Sequence, residues 1–574
     1  MRRLLSYMKK YRTATVLAVF CIVLETFLEL IIPLIMADMV DVGIANADKA
    51  YIFEKGLLMA GCAVVSMVLG AGSARFAAVC GQGIGAEIRK DEYRKLQQFS
   101  FANTDHFRTS SLVTRLTGDV TNIQNSISGG MRPACRAPVM MITAIAVSFY
   151  INKELAVVFL IAAPVLGVLL FLIISHVRPL YSKMQKAVDL VNRIIQENLT
   201  AIRVVKSYVR GDYELAKFEE VNTGLLTTSE RAFRVASLNM PAMQLVMYTT
   251  ILCILWFGGR LILVGGMQVG ELTGFLSYVL QVLNSLMMIS NVFMMFTRSL
   301  TSWKRITEVM DEKIDITEER SKDIFVEKGE IDFDHVYFKY SKDAQEYVLS
   351  DITLHMKAGQ TIGIIGRTGA AKSTLVQLIP RLYDVTEGEI RIDGYPVQEY
   401  PLRHLRDAIA MVLQKNTLFS GTVRDNLRWG KEDATEEEIE EACRTACVDE
   451  FIERLENGYD TDLGQDGVNV SGGQKQRLCI ARALLKKPRV LILDDSTSAV
   501  DTATEAKIRE GMERSLPGTT KIIIAQRITS VVHADEIIIL EDGRVYAVGT
   551  HEELLKNNEI YQEIYQSQKE GADL

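Results

Sequence analysis

Residues 155–175 carry no charged side chain, and a stretch of about 20 mostly apolar residues is what a helix needs to cross a bilayer. Five more runs of this kind occupy residues 13–37, 56–78, 137–151, 235–259 and 272–297. The run 137–151 is short, closed in by Arg136 and Lys153, so its helix must borrow residues on the N-terminal side. Backbone polar groups in hydrocarbon have to bond within their own segment, which makes each run a helix. The expectation is a six-helix, all-α transmembrane domain that ends at residue 310.

Charge divides the chain at about the same place. Residues 1–320 hold 33 Lys and Arg against 26 Asp and Glu, while the remainder holds 31 against 45. With 48% hydrophobic and 24% charged residues, a collagen, a disordered chain and a disulfide scaffold are excluded. No concentrated basic block supports nucleic-acid binding. At 574 residues the chain exceeds one compact core. Residues 1–12 are basic, but the apolar segment behind them is of spanning length without a cleavage site, so it is expected to remain.

Lys and Arg asymmetry sets the orientation. Five basic residues precede the first span, nine lie from Arg75 to Arg136 and ten from Arg178 to Arg234. The opposite connections carry only Lys49, Lys55, Lys153 and Arg260. The N-terminus, both long connections and the acidic half are therefore expected in the cytoplasm, in a multi-pass membrane protein surrounded by lipid. Segments 84–101 and 183–218 keep helical periodicity with mixed charge, as spans extended into the cytoplasm would. Eight scattered cysteines show no zinc or disulfide spacing; Cys443 and Cys447 read as small residues one turn apart on a helix.

Glu25 and Glu29 fall on one face of the first span. An ionisable group at membrane depth faces a pathway or a partner, so they either line a substrate cavity or pair with another helix. Asp38 and Asp41, near the outer end, read as solvated or gating residues.

From residue 331 short β-rich runs alternate with helices, the pattern of an α/β domain. Residues 361–365 are a buried strand running into Gly366, Arg367, Thr368, Gly369, Ala370, Ala371, Lys372, Ser373 and Thr374, then a helix at 375–382. Strand, glycine loop and helix turn backbone N–H groups and a helix N-terminus onto phosphates. Lys372 would reach the outer phosphates and Ser373 would bind Mg²⁺. Ala371 stands where the pattern has its second glycine, at a cost on the order of 1 kcal/mol if φ there is positive. Residues 490–494 form an apolar strand ending in Asp494, suited to hold a metal-bound water near a γ-phosphate. Ser471, Gly472, Gly473 and Gln474 open a second helix whose N-terminus is directed at phosphate. Two such starts exceed what one nucleotide needs and suggest that one serves a nucleotide held by another subunit.

These motifs resemble those of ATP-binding cassette (ABC) exporters in which a membrane domain is fused to its nucleotide-binding domain, and the likeness spans essentially the whole chain. Its most specific element is Val470, Ser471, Gly472, Gly473 and Gln474, followed by Arg482-Ala483-Leu484 about twenty residues before Asp494. The resemblance implies domains at 1–310 and 331–566, joined by a linker at 311–330 and followed by a tail at 567–574, the second domain being an α/β P-loop ATPase. It implies ATP and Mg²⁺ as cofactors, with Tyr340 stacking on adenine and with Ser373, Gln414 and Asp494 at the metal. Gln414 would also touch the attacking water, and Ser498 and Asp501 belong to a loop crossing a dimer interface. Segments 103–116 and 207–213 resemble helices that dock the membrane domain on the cassettes.

Two departures fall at the reaction centre. The family's general-base glutamate is Asp495 here, with a carboxylate set back by about 1.5 Å, enough to misplace a water whose alignment carries ~10²-fold in rate. The family's switch histidine is Gln526, a neutral amide that cannot carry positive charge. Together with Ala371 they surround one γ-phosphate, while the signature at 471–474 is intact. The expectation is an exporter subunit, for drugs or amphipathic small molecules, that holds ATP at its own degenerate site. Its signature would complete the hydrolytic site of a second, different half-transporter. A lipid or peptide exporter subunit and a non-transporting ATP-sensing regulatory subunit are the alternatives.

Overall fold

The computed structural model describes residues 2–341 and 344–570. The chain forms two compact units, one of residues 1–97 and 109–311, the other of residues 98–108 and 312–574.

The first unit is all helical and, among the described residues, contains six helical segments long and apolar enough to cross a membrane. The first is the helix Arg12–Asp38, continued by a π-turn at Met39–Ile44. Lys49–Gln97, Lys153–Thr200 and Val269–Asp311 each run beyond 40 residues, carrying the spans into the long connections. The short third run does borrow upstream residues, since its helix is Met131–Ile151. The fifth begins after a break at Ser237 and Leu238, with the helix Asn239–Leu263.

Large apolar side chains lie outward on these helices, Phe53, Leu57, Met67, Val68 and Phe171 each more than half exposed. That surface suits lipid. The inner contacts use small residues. Ser66, Gly70, Ser73, Ala77, Gly81 and Gly85 are buried along Lys49–Gln97, and a Cβ on Gly81 would come 2.9 Å from the Gln124 carbonyl oxygen. The small face lets helix backbones approach. Tyr278, fully buried, donates to the Leu30 carbonyl beside the helix-interior Pro33.

Glu25 and Glu29, for which the sequence left a cavity and a helix partner open, have partners. Arg132 hydrogen-bonds Glu25 and Arg136 hydrogen-bonds Glu29, with Arg136 also 3.7 Å from Glu25. Glu25 is 3% exposed, so its pairing stands in for the water it gave up. Asp41 is not a free outer acid: it accepts from the N–H groups of Gly270 and Glu271 at 2.5 and 3.0 Å and caps the last long helix. Asp38 accepts from Lys55 at 2.7 Å and Tyr51 at 3.0 Å.

Among its described residues the second unit carries ten strands: β1 Ile331–Phe338, β2 Leu349–Met356, β3 Thr361–Ile365, β4 Glu387–Ile392, β5 Tyr395–Pro396, β6 Ile409–Val412, β7 Val490–Asp494, β8 Thr520–Ile524, β9 Glu536–Glu541 and β10 Arg544–Gly549. An antiparallel sheet has the order β2-β1-β4-β5, and a second sheet the order β10-β9-β3-β8-β7-β6. Strands β9, β3, β8, β7 and β6 are parallel, with β10 antiparallel at the edge. Ile362, Ile364, Leu491, Ile492, Ile522 and Ile538 are at most 1% exposed, as parallel strands covered on both faces require.

The expected linker at 311–330 is instead packed into this unit. Ile316 and Val326 are buried, Glu318 accepts from the Leu402 N–H, and Asp393 accepts from the N–H groups of residues 327–330. The last helix, Glu559–Glu570, runs into the expected tail. Cys443 lies on the helix Glu436–Thr445, but Cys447 sits beyond it at φ +54°, so the two do not share a helix face. Among the described residues no group of His, Cys, Asp or Glu could hold a metal by itself.

Candidate active site

Parallel strands deliver their C-terminal ends to one edge, where ligands bind in open α/β sheets. Here the pairing of Ile364 with Ile524 and of Ile524 with Asp494 aligns the ends of β3, β8 and β7. The loop of residues 366–371, then Asp495 and Gln526, follow those three strand ends.

The loop is the sharpest turn of the three. Gly366 has φ +156°, and a Cβ on it would meet the Leu540 carbonyl at 2.2 Å, so only glycine fits. The helix Lys372–Leu378 is shorter than the expected 375–382 at its far end, because Arg381 turns at φ +51°. Ala371 caps it at φ +65°, the left-handed geometry that a glycine would take without the Cβ penalty of roughly 1 kcal/mol. The Lys372 ammonium folds over the loop onto the carbonyls of Gly366 and Arg367 at 2.8 and 2.9 Å. Burial lowers its pKa, with Asp495 and Asp494 opposing.

Ser373 donates to Asp494 at 2.9 Å, which brings together the hydroxyl and carboxylate expected at the metal. Gln526 donates its side-chain N–H to Asp495 Oδ2 at 2.7 Å, and Gln414 reaches the same carboxylate. Burial pushes both Asp494 and Asp495 above the ordinary carboxylate range; the Ser373 hydroxyl opposes it at the first, the two amides at the second. These are hard oxygen donors whose negative charge is disfavoured by burial, so the set fits Mg²⁺.

The second phosphate-directed helix start is also formed. Ser471 caps the helix Gly472–Leu485 in a capping box with Gln474, and Ser471 and Gly472 are exposed. Among the described residues, no hydrogen bond or ion pair joins residues 471–474 to the loop 366–374. Buried Gln476, which the sequence reading did not single out, ties this helix to the loop after Asp495. It accepts from the Ala499 N–H at 3.0 Å and donates to Ser498 at 3.2 Å, and Ser498 donates to the Asp495 carbonyl at 3.1 Å. Asp501 caps the next helix by accepting from Thr504 N–H at 2.9 Å.

Tyr340 lies just past β1, 48% exposed, with its hydroxyl 2.8 Å from Thr374 Oγ1. Its free face is available for a base. Its edge meets Tyr383 at 5.2 Å between ring centroids. Tyr383 is a residue that no motif flagged. It packs edge-on against Phe101 and donates to Asp105 at 2.7 Å, both on the helix Phe101–His106. Part of the expected docking segment 103–116 is thus seated beside Tyr383 and Tyr340 in the second unit. Segment 207–213 behaves differently, with Tyr208, Val209 and Tyr213 all well exposed. Tyr383→Phe keeps the ring and removes one hydrogen bond to a carboxylate, so amide exchange of residues 101–106 is expected to rise about tenfold, for a loss on the order of 1.4 kcal/mol. Unchanged exchange would mean that the Phe101 ring contact and the hydrogen bond that Asn103 donates to the Lys313 carbonyl hold the helix alone.

Comparison with known proteins places the same two parts in one family. Residues 15–286 match the family model of the ABC transporter transmembrane region, and residues 349–498 that of the ABC transporter. An uncharacterised ABC transporter ATP-binding protein of Bacillus subtilis, YfiB, is 41% identical over 575 residues, covering 100% of both chains. A Staphylococcus aureus ATP-binding/permease protein, provisionally named for multidrug export, is 32% identical over 84% of this chain and 83% of its own. The solved structure of a bacterial Atm1-family ABC exporter with ATP bound superposes with a TM-score of 0.81 at 24% identity, covering 97% of this chain and 99% of that one.

Proposed function

The chain belongs to the ATP-binding cassette transporter family, as a half-transporter whose membrane half is fused to its cytoplasmic ATPase domain, and from that premise we propose that it is the weakly hydrolytic subunit of a heterodimeric exporter. Its own loop site keeps ATP, and its signature at 471–474 completes the hydrolytic site of a different half-transporter. The observation that carries this reading is the hydrogen bond from neutral Gln526 to the short carboxylate Asp495, set beside a signature helix with an intact Ser471 cap.

The roles follow from the side chains. Loop N–H groups and Lys372 hold the phosphates of ATP, and Tyr340 offers its exposed face to the adenine. Ser373, Asp494 and Gln414 would hold Mg²⁺, which when bound supplies positive charge to the phosphate oxygens. Asp495 is the base that would orient the attacking water. It is one methylene short and already engaged by two amides, so the water is poorly aligned. Gln526 can donate to a γ-phosphate oxygen but adds no charge there to stabilise the transition state. ATP at this site is therefore held longer than it is cleaved, and hydrolysis at the partner-side site resets the pair.

The cargo proposed is an amphipathic small molecule, drugs among them, in line with the name of the staphylococcal relative. Glu25 and Glu29, being paired with arginines, give no preference for cations. With the partner's catalytic base neutralised, so that only this chain's own site is read, Asp495→Glu is expected to raise the residual ATP turnover of the assembled transporter about tenfold or more, since it restores the base's reach. Steady-state phosphate release in nanodiscs checks it. An unchanged rate would overturn the assignment of Asp495 as the limiting group. Equal catalysis by this chain purified without a different partner would overturn the heterodimer.

A further inference from the structure

The switch residue Gln526 is held by a second glutamine from the far end of the chain. Gln568, in the last turn of the helix Glu559–Glu570, donates its side-chain N–H to the Gln526 carbonyl at 2.8 Å. The same amide accepts from the Ile528 N–H, also at 2.8 Å. One planar group thus closes both ends of the arc 526–528, which otherwise leaves β8 as irregular backbone. Gln526 Nε2 is in turn bonded to Asp495 Oδ2. The direction of that amide is set by the backbone that Gln568 grips.

The gripping helix is firmly seated. Tyr561 is fully buried, bonded through its hydroxyl to His551 at 2.5 Å, and Ile560, Ile564 and Tyr565 pack on the core around it. Asn558 caps the helix start through the Tyr561 N–H at 2.9 Å. A second contact from the same helix reaches the opposite wall of the site: Glu563 lies 3.7 Å from Arg367 of the phosphate loop. That pair is exposed and weak by itself, but it puts both loops that face the γ-phosphate in touch with one helix.

We propose that Gln568 is a positioning residue of the nucleotide site, and that the C-terminal helix clamps the Gln526 switch against Asp495 so that bound ATP is retained. The proposal rests on the reading that Lys372 and its loop hold ATP in this chain. A histidine at this position would hold the phosphate by charge, whereas a neutral amide depends on being aimed, and so depends on the clamp.

The test is a double-mutant cycle on the full-length chain in nanodiscs, read as the release rate of a fluorescent N-methylanthraniloyl-ATP. The signal is the release phase that Lys372→Ala removes. Gln568→Leu is expected to speed that phase about tenfold. Gln568→Glu, which keeps the acceptor for Ile528 but sets an anion against the Gln526 carbonyl, is expected to do the same. In a Gln526→Ala background the further effect of Gln568→Leu should vanish, because the clamp acts through the switch side chain. A tenfold acceleration that persists in that background, or a fall in thermal stability with release unchanged, would overturn the clamp and leave Gln568 a structural anchor. If nucleotide binding survives Lys372→Ala intact, it is the loop-site reading that fails, and the clamp goes with it.

Discussion

Ser471→Ala and Gly473→Ala in this chain should each lower ATP turnover of the assembled transporter by about 10²-fold, the scale of losing one preorganised donor at a phosphate. Lys372→Ala in the same chain should cost only a few-fold. The difference follows from where each group works. Ser471 and Gly472 at this helix start are exposed and, among the described residues, share no hydrogen bond with this chain's own loop, so on the proposed asymmetry the phosphate they meet comes from the partner. A Cβ on Gly473 would stand 2.7 Å from the Ala499 carbonyl oxygen, which forces apart the signature helix and the loop that Gln476 ties to it. On the proposed asymmetry Lys372 would serve the slow site, whose ATP would contribute affinity between the domains more than turnover. Phosphate release from the three variants, each assembled with unaltered partner, measures the ranking. If Lys372→Ala were as damaging as Ser471→Ala, both sites would be hydrolysing and the asymmetry would be wrong.

Much of this was legible in the sequence because the relevant physics is local. An uncharged run such as 155–175 has few alternatives to a spanning helix, and a buried strand entering a glycine loop has few alternatives to a phosphate cradle. Ala371 could be read as strained before its φ was known, since one pattern position requires the left-handed region. Other residues were silent because their meaning comes from partners far along the chain. Tyr383 matters through Asp105 and Gln568 through Gln526, and neither pairing leaves a periodicity or a motif. The segment 311–330 was a linker only by the family resemblance, and nothing in its own residues announced that Asp393 would fix its end by four backbone N–H groups. Glu25 and Glu29 were visible as anomalies. Arg136 was visible too, but read as the charge that closes in the third span, and Arg132 only as one of the basic residues that set the orientation.

Those acids supply the other large expected effect. Glu25→Gln leaves Arg132 without its carboxylate, and leaves Arg136 with Glu29 alone. Removing one partner of a buried ion pair costs several kcal/mol, and here roughly 3 kcal/mol is expected, because Glu25 is buried but the Arg132 left behind is 40% exposed. For a unit of this size that corresponds to a melting temperature about 10 °C lower in detergent. Gly70 shows how closely the pair is fitted: a Cβ there would lie 2.9 Å from Glu25 Oε1 and 3.3 Å from an Arg132 nitrogen. The decisive measurement is the pair of neutralisations together. Glu25→Gln with Arg132→Gln removes both charges, and a neutral hydrogen-bonded pair of similar volume should recover most of the lost stability. If the acid instead served cargo, Glu25→Gln would leave the melting temperature in place and alter transport of cationic dyes alone, and the double variant would restore nothing. Stability that falls with the first substitution and returns with the second assigns Glu25 to holding the first and third spans together.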